Sequence, residues 1–568
     1  MSVFQRHRLG ILVVAVVVLF TGIGATTFWD LDEAIYAEIV REMIAGHDWV
    51  VPLFNGELVT DKPPMVYWLM IAGFEVFGPS EFAARAAFAA LAVATVLLTY
   101  NLGCRVYSQR AGLWAALALT TNFIFDISAR ACTPDSPLLF CTVAAFWLYV
   151  RAGGLEGAAI RWPTWMAIYA SMGVGTLAKG PVAFVLPVAV MMLFHLCAQG
   201  VQPARPTVAA LWQLVRRTWT VGWQHRPIMA VAMIALVAGP WFYAVGARTD
   251  GVWLRSFFLE HNAERFLKPN MGHSGPVYYH VLGVMLGFFP WSVFLPQAIV
   301  HLVRRVRQND AWRRADLFVA CWAGMYIVFF SFARTKLPNY VLPAYPALAL
   351  ATGAFLDAWL RQPSVANFTW LRAAFLSTAA GGVVMTIGLA IAAMVAIPGE
   401  SWIGVVGLAP LVGGAVATVL YDRNRRDAAL ATFTISAALL MLALFAVAGP
   451  AVNRHNSAPR IVAAWSANAS PAAPLATFRH LDPSEAYYAG RMVKYCINAD
   501  DVKQFFASAP EACMVARTDE YPALAPALPQ DVIVLDRRDR FLKSGELLML
   551  GRPNALRVAK PQTPAITR

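Results

Sequence analysis

Two kinds of side chain stand out by type and spacing. Carboxylates crowd the run Trp29-Asp30-Leu31-Asp32-Glu33-Ala34-Ile35-Tyr36-Ala37-Glu38, with Arg41 and Glu42 after it, and Asp135 closes the run Arg130-Ala131-Cys132-Thr133-Pro134-Asp135. Lone cations punctuate apolar sequence: Lys62 in Asp61-Lys62-Pro63-Pro64, then Arg85, Arg130, Lys179 before Gly180-Pro181, Arg265, and Arg334 with Lys336 ahead of Leu337-Pro338-Asn339-Tyr340. A carboxylate takes up a proton or steers a polar group of the substrate. A fixed cation holds a phosphate and stabilises charge on a departing anion. Glu260, His261 and His273 have the chemistry of zinc ligands, although their spacing matches no zinc motif. Asp32 stands where an N-cap belongs, and Tyr36, four residues on, shares its helix face. Taken singly, each acid also reads as part of a solvated, capped helix and each cation as a snorkelling anchor. Only their convergence makes a site.

The elements that must bring them together are membrane helices. Of 568 residues, 58% are hydrophobic and 14% charged, with a mean hydropathy of +0.54. Soluble domains carry about 25% charged residues, so an ordinary cytosolic enzyme is excluded. The formal charge of +13 reads as loop anchors on the cytosolic side, and no basic run with interleaved aromatics points to a nucleic-acid partner. At about 20 apolar residues per span, candidate helices lie near 9–28, 82–101, 111–128, 136–150, 162–178, 180–197, 227–247, 277–303, 315–333, 339–360, 370–397, 402–421 and 428–449. The first follows Arg6, His7 and Arg8 without an A-x-A site, and is read as an uncleaved span. Cys104, Cys132, Cys141, Cys197 and Cys321 lie in or beside apolar segments as packing residues, whereas Cys496 and Cys513 lie in a polar tail where a disulfide is open to them.

Met65–Gly78 decides the orientation. If it does not span, and Arg6 and Arg8 are cytosolic, the cytosolic loops collect Arg105 and Arg110, Arg151 and Arg161, Arg205 to Arg226, Arg304 to Arg314, Arg361 and Arg372, and Arg423 to Arg426. If it spans, all of these move outside, against the positive-inside bias. It is therefore read as a juxtamembrane helix, which gives about thirteen spans and an outer C-terminus. The expected architecture is a polytopic α-helical membrane protein. Its catalytic domain is 1–449, with juxtamembrane helices at about 30–80 and an outer loop at about 248–277, followed by a small α/β periplasmic domain at 450–568. With that topology Asp32, Glu33, Lys62, Arg85, Arg130, Asp135, Lys179, Arg265, Arg334 and Lys336 all fall on the outer face, where ionisable groups flush with a bilayer are costly and usually functional. Together they suggest chemistry on phosphate-bearing lipids. No internal repeat is evident, which argues against a transporter built from duplicated halves.

The run after the first span resembles the protein O-mannosyltransferase superfamily, glycosyltransferases of the GT-C class. It is most similar there to the bacterial aminoarabinose transferases that modify lipid A. Asp32-Glu33-Ala34-Ile35-Tyr36-Ala37-Glu38-Ile39-Val40-Arg41-Glu42-Met43 matches their D-E-x-x-Y-A-E-I-x-R-E-M run. Lys62-Pro63, Phe77-Gly78 through Arg85, Lys179-Gly180, Glu260-His261 through Arg265-Phe266, and Lys336-Leu337-Pro338-Asn339-Tyr340 match further elements as far as about residue 360.

The resemblance implies a pentosyltransferase of the bacterial inner membrane. It would move 4-amino-4-deoxy-L-arabinose from undecaprenyl phosphate to lipid A, invert the anomeric centre, and confer polymyxin resistance. Asp32, with Glu33 and Asp135, is the expected catalytic set. Tyr36, Lys62, Arg85, Arg130, Lys179, Arg265, Arg334, Lys336 and Tyr340 are the expected substrate and phosphate contacts. No cofactor is required; a zinc ion at Glu260, His261 and His273 is the one metal considered. The partners are the lipid-linked donor, lipid A and membrane lipids, with a monomeric chain. Tyr278, Tyr279, Trp291 and Phe288-Phe289-Pro290 are read either as a groove for the polyprenyl chain or as an aromatic belt. Competing readings are another polyprenyl-phosphate sugar transferase with a different acceptor, such as a protein O-mannosyltransferase, and a lipid or sugar transporter.

Overall fold

The computed structural model describes residues 2–29, 32–199, 208–264, 274–308, 312–470 and 473–553. They divide into two compact units: Met1–Gly24, Val59–Ile391 and Trp402–Ala448 form the first, and Ala25–Leu58, Ala392–Ser401 and Gly449–Arg568 the second. In chain order the helices begin α1 (Val3–Phe20), α2 (Asp32–Ala45), α3 (Met65–Phe77), α4 (Glu81–Val106), α5 (Gln109–Thr120), α6 (Phe123–Arg130), α7 (Asp135–Arg151), α8 (Trp162–Lys179) and α9 (Val182–Ala198). Of these, only α2 belongs to the second unit.

Every one of the thirteen expected segments of the first unit is helical. Eight helices are long and apolar enough to cross a bilayer, or ten when the bent pairs α5 with α6 (65°) and Tyr279–Gly287 with Trp291–Gln308 (114°) are each one span. The other three expected spans are α7 and α9, at 17 residues each, and α8, whose Trp, Pro, Thr and Lys content dilutes its apolar residues. The chain is thus a multi-pass membrane protein. Helix α3, at 13 residues, measures about 20 Å against the roughly 30 Å of a hydrocarbon core. It is too short to cross, as the charge bias requires. Instead it lies hard against α4: a Cβ on Gly73 would come 2.0 Å from the Ala83 carbonyl oxygen. Helices α4 and α5 meet the same way, with a Cβ on Gly103 only 2.5 Å from the Cα of Gly112.

The second unit is the expected α/β domain. Its five-stranded sheet has the order β4-β3-β5-β7-β6, with β3 (Leu475–Phe478), β4 (Lys494–Cys496), β5 (Cys513–Arg517), β6 (Ile533–Asp539) and β7 (Glu546–Gly551). Strand β3 pairs in parallel with β4 and β5, and β7 antiparallel with β5 and β6. Alternation along the strands feeds two cores, one per face. Leu475, Val515, Leu547 and Met549 pack with Ile461, Val462 and Trp465 of helix Ser457–Asn468. Ala476, Phe478, Met514, Leu548 and Leu550 pack with Val502, Phe505 and Phe506 of helix Ala499–Ser508.

Two expectations change here. Cys496 and Cys513 are both free and buried, on β4 and β5, which flank β3. Strands two places apart are separated by about 9–10 Å, beyond the ~7 Å Cα limit for a disulfide. The tail's start at Gly449 matches the expected boundary, but the unit also takes in 25–58, so the juxtamembrane stretch is divided between two units. Hydrogen bonds show why. Arg41 donates to the Gly490 carbonyl at 3.3 Å, Asn55 exchanges bonds with the Val493 backbone at 2.8 and 2.9 Å, and the Phe28 amide donates to the Tyr488 hydroxyl at 2.9 Å. Asn55 stands in the two-residue turn between β1 (Leu53–Phe54) and β2 (Glu57–Leu58).

Candidate functional site

In the first unit the ends of several helices enclose a cavity of about 300 Å³. Its wall includes hydrocarbon from Val182, Val185 and Leu186 of α9 and from Phe329, Phe330 and Phe257. The same wall carries polar groups: Asp61, Lys62, Lys179, His261, Thr335 and Tyr340. Local sequence explains how each arrives. Pro63-Pro64 prevents the chain from entering helix until Met65, leaving Lys62 just before α3. Gly180, at φ +75°, stops α8 in a conformation that only glycine adopts cheaply, so Lys179 is its last residue.

The polar groups are held in pairs. Lys62 Nζ is 2.8 Å from Asp61 Oδ2. Lys179 Nζ is 2.5 Å from Asp135 Oδ1 and stands over the Tyr340 ring, 5.4 Å from its centroid. Asn339 Nδ2 donates to the other oxygen, Asp135 Oδ2, at 2.8 Å. Asp135, at the first turn of α7 and buried, has therefore committed both oxygens to neighbours. That geometry fits a carboxylate that positions Lys179. The lysines keep small exposed fractions, 13% for Lys62 and 19% for Lys179, so an anion entering the cavity meets two partly desolvated ammonium groups.

Three of the other expected cations bond backbone carbonyls. Arg130, buried on α6, spends its guanidinium on Asp126 at 3.0 Å, on the Thr21 carbonyl at 2.7 Å and on the Val18 carbonyl. It thus clamps the C-terminal end of α1, whose carbonyls lack intrahelical partners. Arg85, buried on α4, gives Nη1 to the Ile23 carbonyl at 2.9 Å. Lys336 donates to the Ser331 and Ala333 carbonyls at 2.7 and 2.9 Å, closing the helix Arg313–Phe332. Burial, and then the nearby Arg334, push its pKa below the usual lysine value. Arg334 is exposed. Arg85, Arg130, Arg334 and Lys336 are absent from the cavity wall among the described residues, and Arg265 lies outside the described residues.

Two of the three expected metal ligands are described. Glu260 Oε2 accepts from Ser256 at 2.7 Å, and His261 Nε2 is 3.3 Å from the Thr60 hydroxyl. His273 lies outside the described residues. Among the described residues no group of three or more His, Cys, Asp or Glu is placed to hold a metal. The aromatic groove also changes. Trp291 and Phe288 are fully buried, with Trp291 donating to Thr121 at 2.8 Å, while Tyr278 is exposed.

In the second unit, the described part of α2 runs from Asp32 to Ala45. Asp32 is exposed, Glu33 half-buried and Tyr36 buried. The remaining charges of that run have structural work: Arg41 grips the buried Glu38 at 2.7 and 2.5 Å, and Glu42 accepts from the Gly56 amide at 3.1 Å. Two groups escaped the reading of the sequence. Asn339 lay within the Lys336–Tyr340 run without being singled out, and Asp126, one helical turn before Arg130, was signalled by its i, i+4 spacing.

Comparison with known proteins bears on this arrangement. The family described as dolichyl-phosphate-mannose-protein mannosyltransferase matches residues 61–237. The chain is 30% identical over 375 residues to the undecaprenyl phosphate-alpha-4-amino-4-deoxy-L-arabinose arabinosyl transferase of Pseudomonas aeruginosa (PAO1), covering 65% of this chain and 61% of that one. It is 30% identical over 335 residues to the protein of the same name from Edwardsiella ictaluri, covering 58% and 55%. Matches to these and similar curated relatives take in between 54% and 64% of the relatives' own length. The crystal structure of ArnT from Cupriavidus metallidurans bound to undecaprenyl phosphate superposes with a TM-score of 0.76 at 25% identity, covering 97% of this chain and 99% of that one. The oligosaccharyltransferase AglB from Archaeoglobus fulgidus, at 14% identity and a TM-score of 0.50, shares the fold alone over 92% of this chain and 71% of that one.

Proposed function

The chain is a homologue of the bacterial aminoarabinose transferases and carries their GT-C fold, and from that premise we propose that it moves 4-amino-4-deoxy-L-arabinose from undecaprenyl phosphate to a phosphate of lipid A. The active site faces the periplasm, in the inner membrane of a bacterium, and the chain works as a monomer. The observation that carries this reading is one cavity lined both by Lys62 and Lys179 and by hydrocarbon side chains, which suits the two parts of a polyprenyl phosphate.

Sugar transfer breaks the bond from the anomeric carbon to the phosphate oxygen. Negative charge grows on the departing phosphate while the anomeric carbon becomes cation-like, so ammonium groups already fixed beside that phosphate stabilise the transition state more than the ground state. Lys62 and Lys179 have that role here, with Asp61 and Asp135 holding them and Tyr340 beside Lys179. No cofactor is proposed for the step. Since an acceptor phosphate is already ionised near neutral pH, the reaction needs no strong base. Asp32, with Glu33 and Tyr36 on the same turns of α2, is proposed to pair with the sugar ammonium or orient the acceptor. One displacement inverts the anomeric centre.

The test is mass spectrometry of lipid A from cells lacking the chain, complemented with wild type or with Asp32→Asn, in the presence and absence of chelator in the transfer assay. Wild type alone adds the aminoarabinose mass and restores polymyxin tolerance, and chelator leaves transfer intact. Unchanged lipid A together with an altered glycoprotein would point to the mannosyltransferase-like alternative.

A further inference from the structure

At the far end of the first unit from that cavity lies a second one, of about 470 Å³. The helix Arg313–Phe332 links the two: Trp312 at its N-cap lines the second cavity and Phe329 the first, about 25 Å apart along the axis. Its wall comes from three places that the positive-inside bias puts on the cytosolic side: Tyr107 and Ser108 between α4 and α5, the end of the helix Leu295–Gln308 with Trp312, and the end of the helix Tyr345–Arg361. The transfer chemistry makes no use of it.

We propose that this cavity binds the phosphate of an anionic phospholipid of the cytosolic leaflet. Three guanidinium groups line it, those of Arg304, Arg305 and Arg361. Two are held beside carboxylates. Arg361 bonds Asp357 at 3.0 and 2.7 Å, and Asp357 also takes the Ser108 hydroxyl at 2.6 Å. Arg305 Nε forms an ion pair with Asp316 Oδ2 at 2.9 Å under the Tyr107 and Trp312 rings, each 5.7 Å away, and Asp316 Oδ1 takes the Tyr107 hydroxyl at 2.8 Å. Arg304 makes no ion pair among the described residues and is exposed. A guanidinium offers five donors in a fork that fits phosphate oxygens, so one bound carboxylate does not exhaust it. Basic pockets between membrane helices at the cytosolic face suit anionic headgroups. A free phosphate has the same chemistry, but the helix Leu295–Gln308 turns Ile299, Val300 and Val303 outward beside Arg304. That apolar strip is where an acyl chain would lie.

The test uses the purified full-length protein in phosphatidylcholine nanodiscs doped with phosphatidylglycerol, with retained lipid counted by native mass spectrometry. Arg304→Gln and Arg361→Gln are each expected to weaken phosphatidylglycerol retention about fivefold. Arg425→Gln, an exposed cytosolic-side arginine outside the cavity, is expected to leave it unchanged, and so is added inorganic phosphate. Arg304→Gln breaks no ion pair among the described residues, and an unaltered unfolding temperature in pure phosphatidylcholine checks its fold. Wild-type retention in Arg304→Gln, equal loss in Arg425→Gln, or displacement of the lipid by inorganic phosphate would each overturn the proposal.

Discussion

Lys179 and Asp135 show how little of a side chain's role is carried by its charge alone. The lysine is bound to the carboxylate at 2.5 Å, and Asn339 fixes the carboxylate's other oxygen, so the pair acts as one unit. Removing Lys179 or neutralising Asp135 should therefore cost overlapping amounts of activity. Lys179→Ala is expected to lower turnover by about 10²-fold, and adding Asp135→Asn to it should cost little more, because members of one network are not additive. Steady-state rates of the two single variants and the double variant check this. A second residue-scale prediction concerns His480, which is buried 3.6 Å from Glu485 Oε2 and 3.3 Å from Glu520 Oε2, with Arg517 and Asp482 nearby. Burial lowers its pKa, but the Glu485 contact outweighs that and leaves it above 6.5. A raised folded-state value means that the stabilisation is complete below pH 6.5 and fades as pH climbs through the higher folded value. Hydrogen exchange of β3 should accordingly separate wild type from His480→Gln most at acid pH and least in the alkaline range.

At the scale of elements, the first unit depends on helices that approach without side chains between them. Gly73 on α3 leaves no room for a methyl group against the Ala83 carbonyl. Since that oxygen belongs to the backbone of α4, it cannot swing aside. Gly73→Ala should destabilise the unit by about 1–3 kcal/mol and shift Lys62, which immediately precedes α3, so that activity falls further than folded yield. Thermal unfolding measured beside turnover separates the two effects. The helices themselves were legible in the sequence because membrane spans are announced by long apolar runs, and α3 is helical over nearly the stretch that the charge bias set apart. The uses of Arg85, Arg130 and Lys336 were not legible. A cation at a helix end looks the same in sequence whether it faces a phosphate or its own chain's carbonyls, and which it does depends on contacts such as that of Arg130 with Thr21, more than a hundred residues away. The allocation of α2 to the second unit was hidden for the same reason, since Gly490, the partner of its Arg41, lies more than four hundred residues on.

For the whole molecule, two cavities sit at the two ends of one helix. Residues that charge bias assigned to the outer side line one, and residues assigned to the cytosol line the other. In a cysteine-free background, a thiol reagent that does not cross membranes should label Arg334→Cys from the periplasm and leave Gln362→Cys untouched until the membrane is opened. The reverse pattern would invert the topology. The measurement that tests the central claim most directly is the affinity of the purified protein for undecaprenyl phosphate, wild type against Lys62→Ala and Lys179→Ala. If those two ammonium groups hold the departing phosphate, each substitution weakens binding by about tenfold or more while the fold persists. Unchanged affinity in both variants would contradict the account.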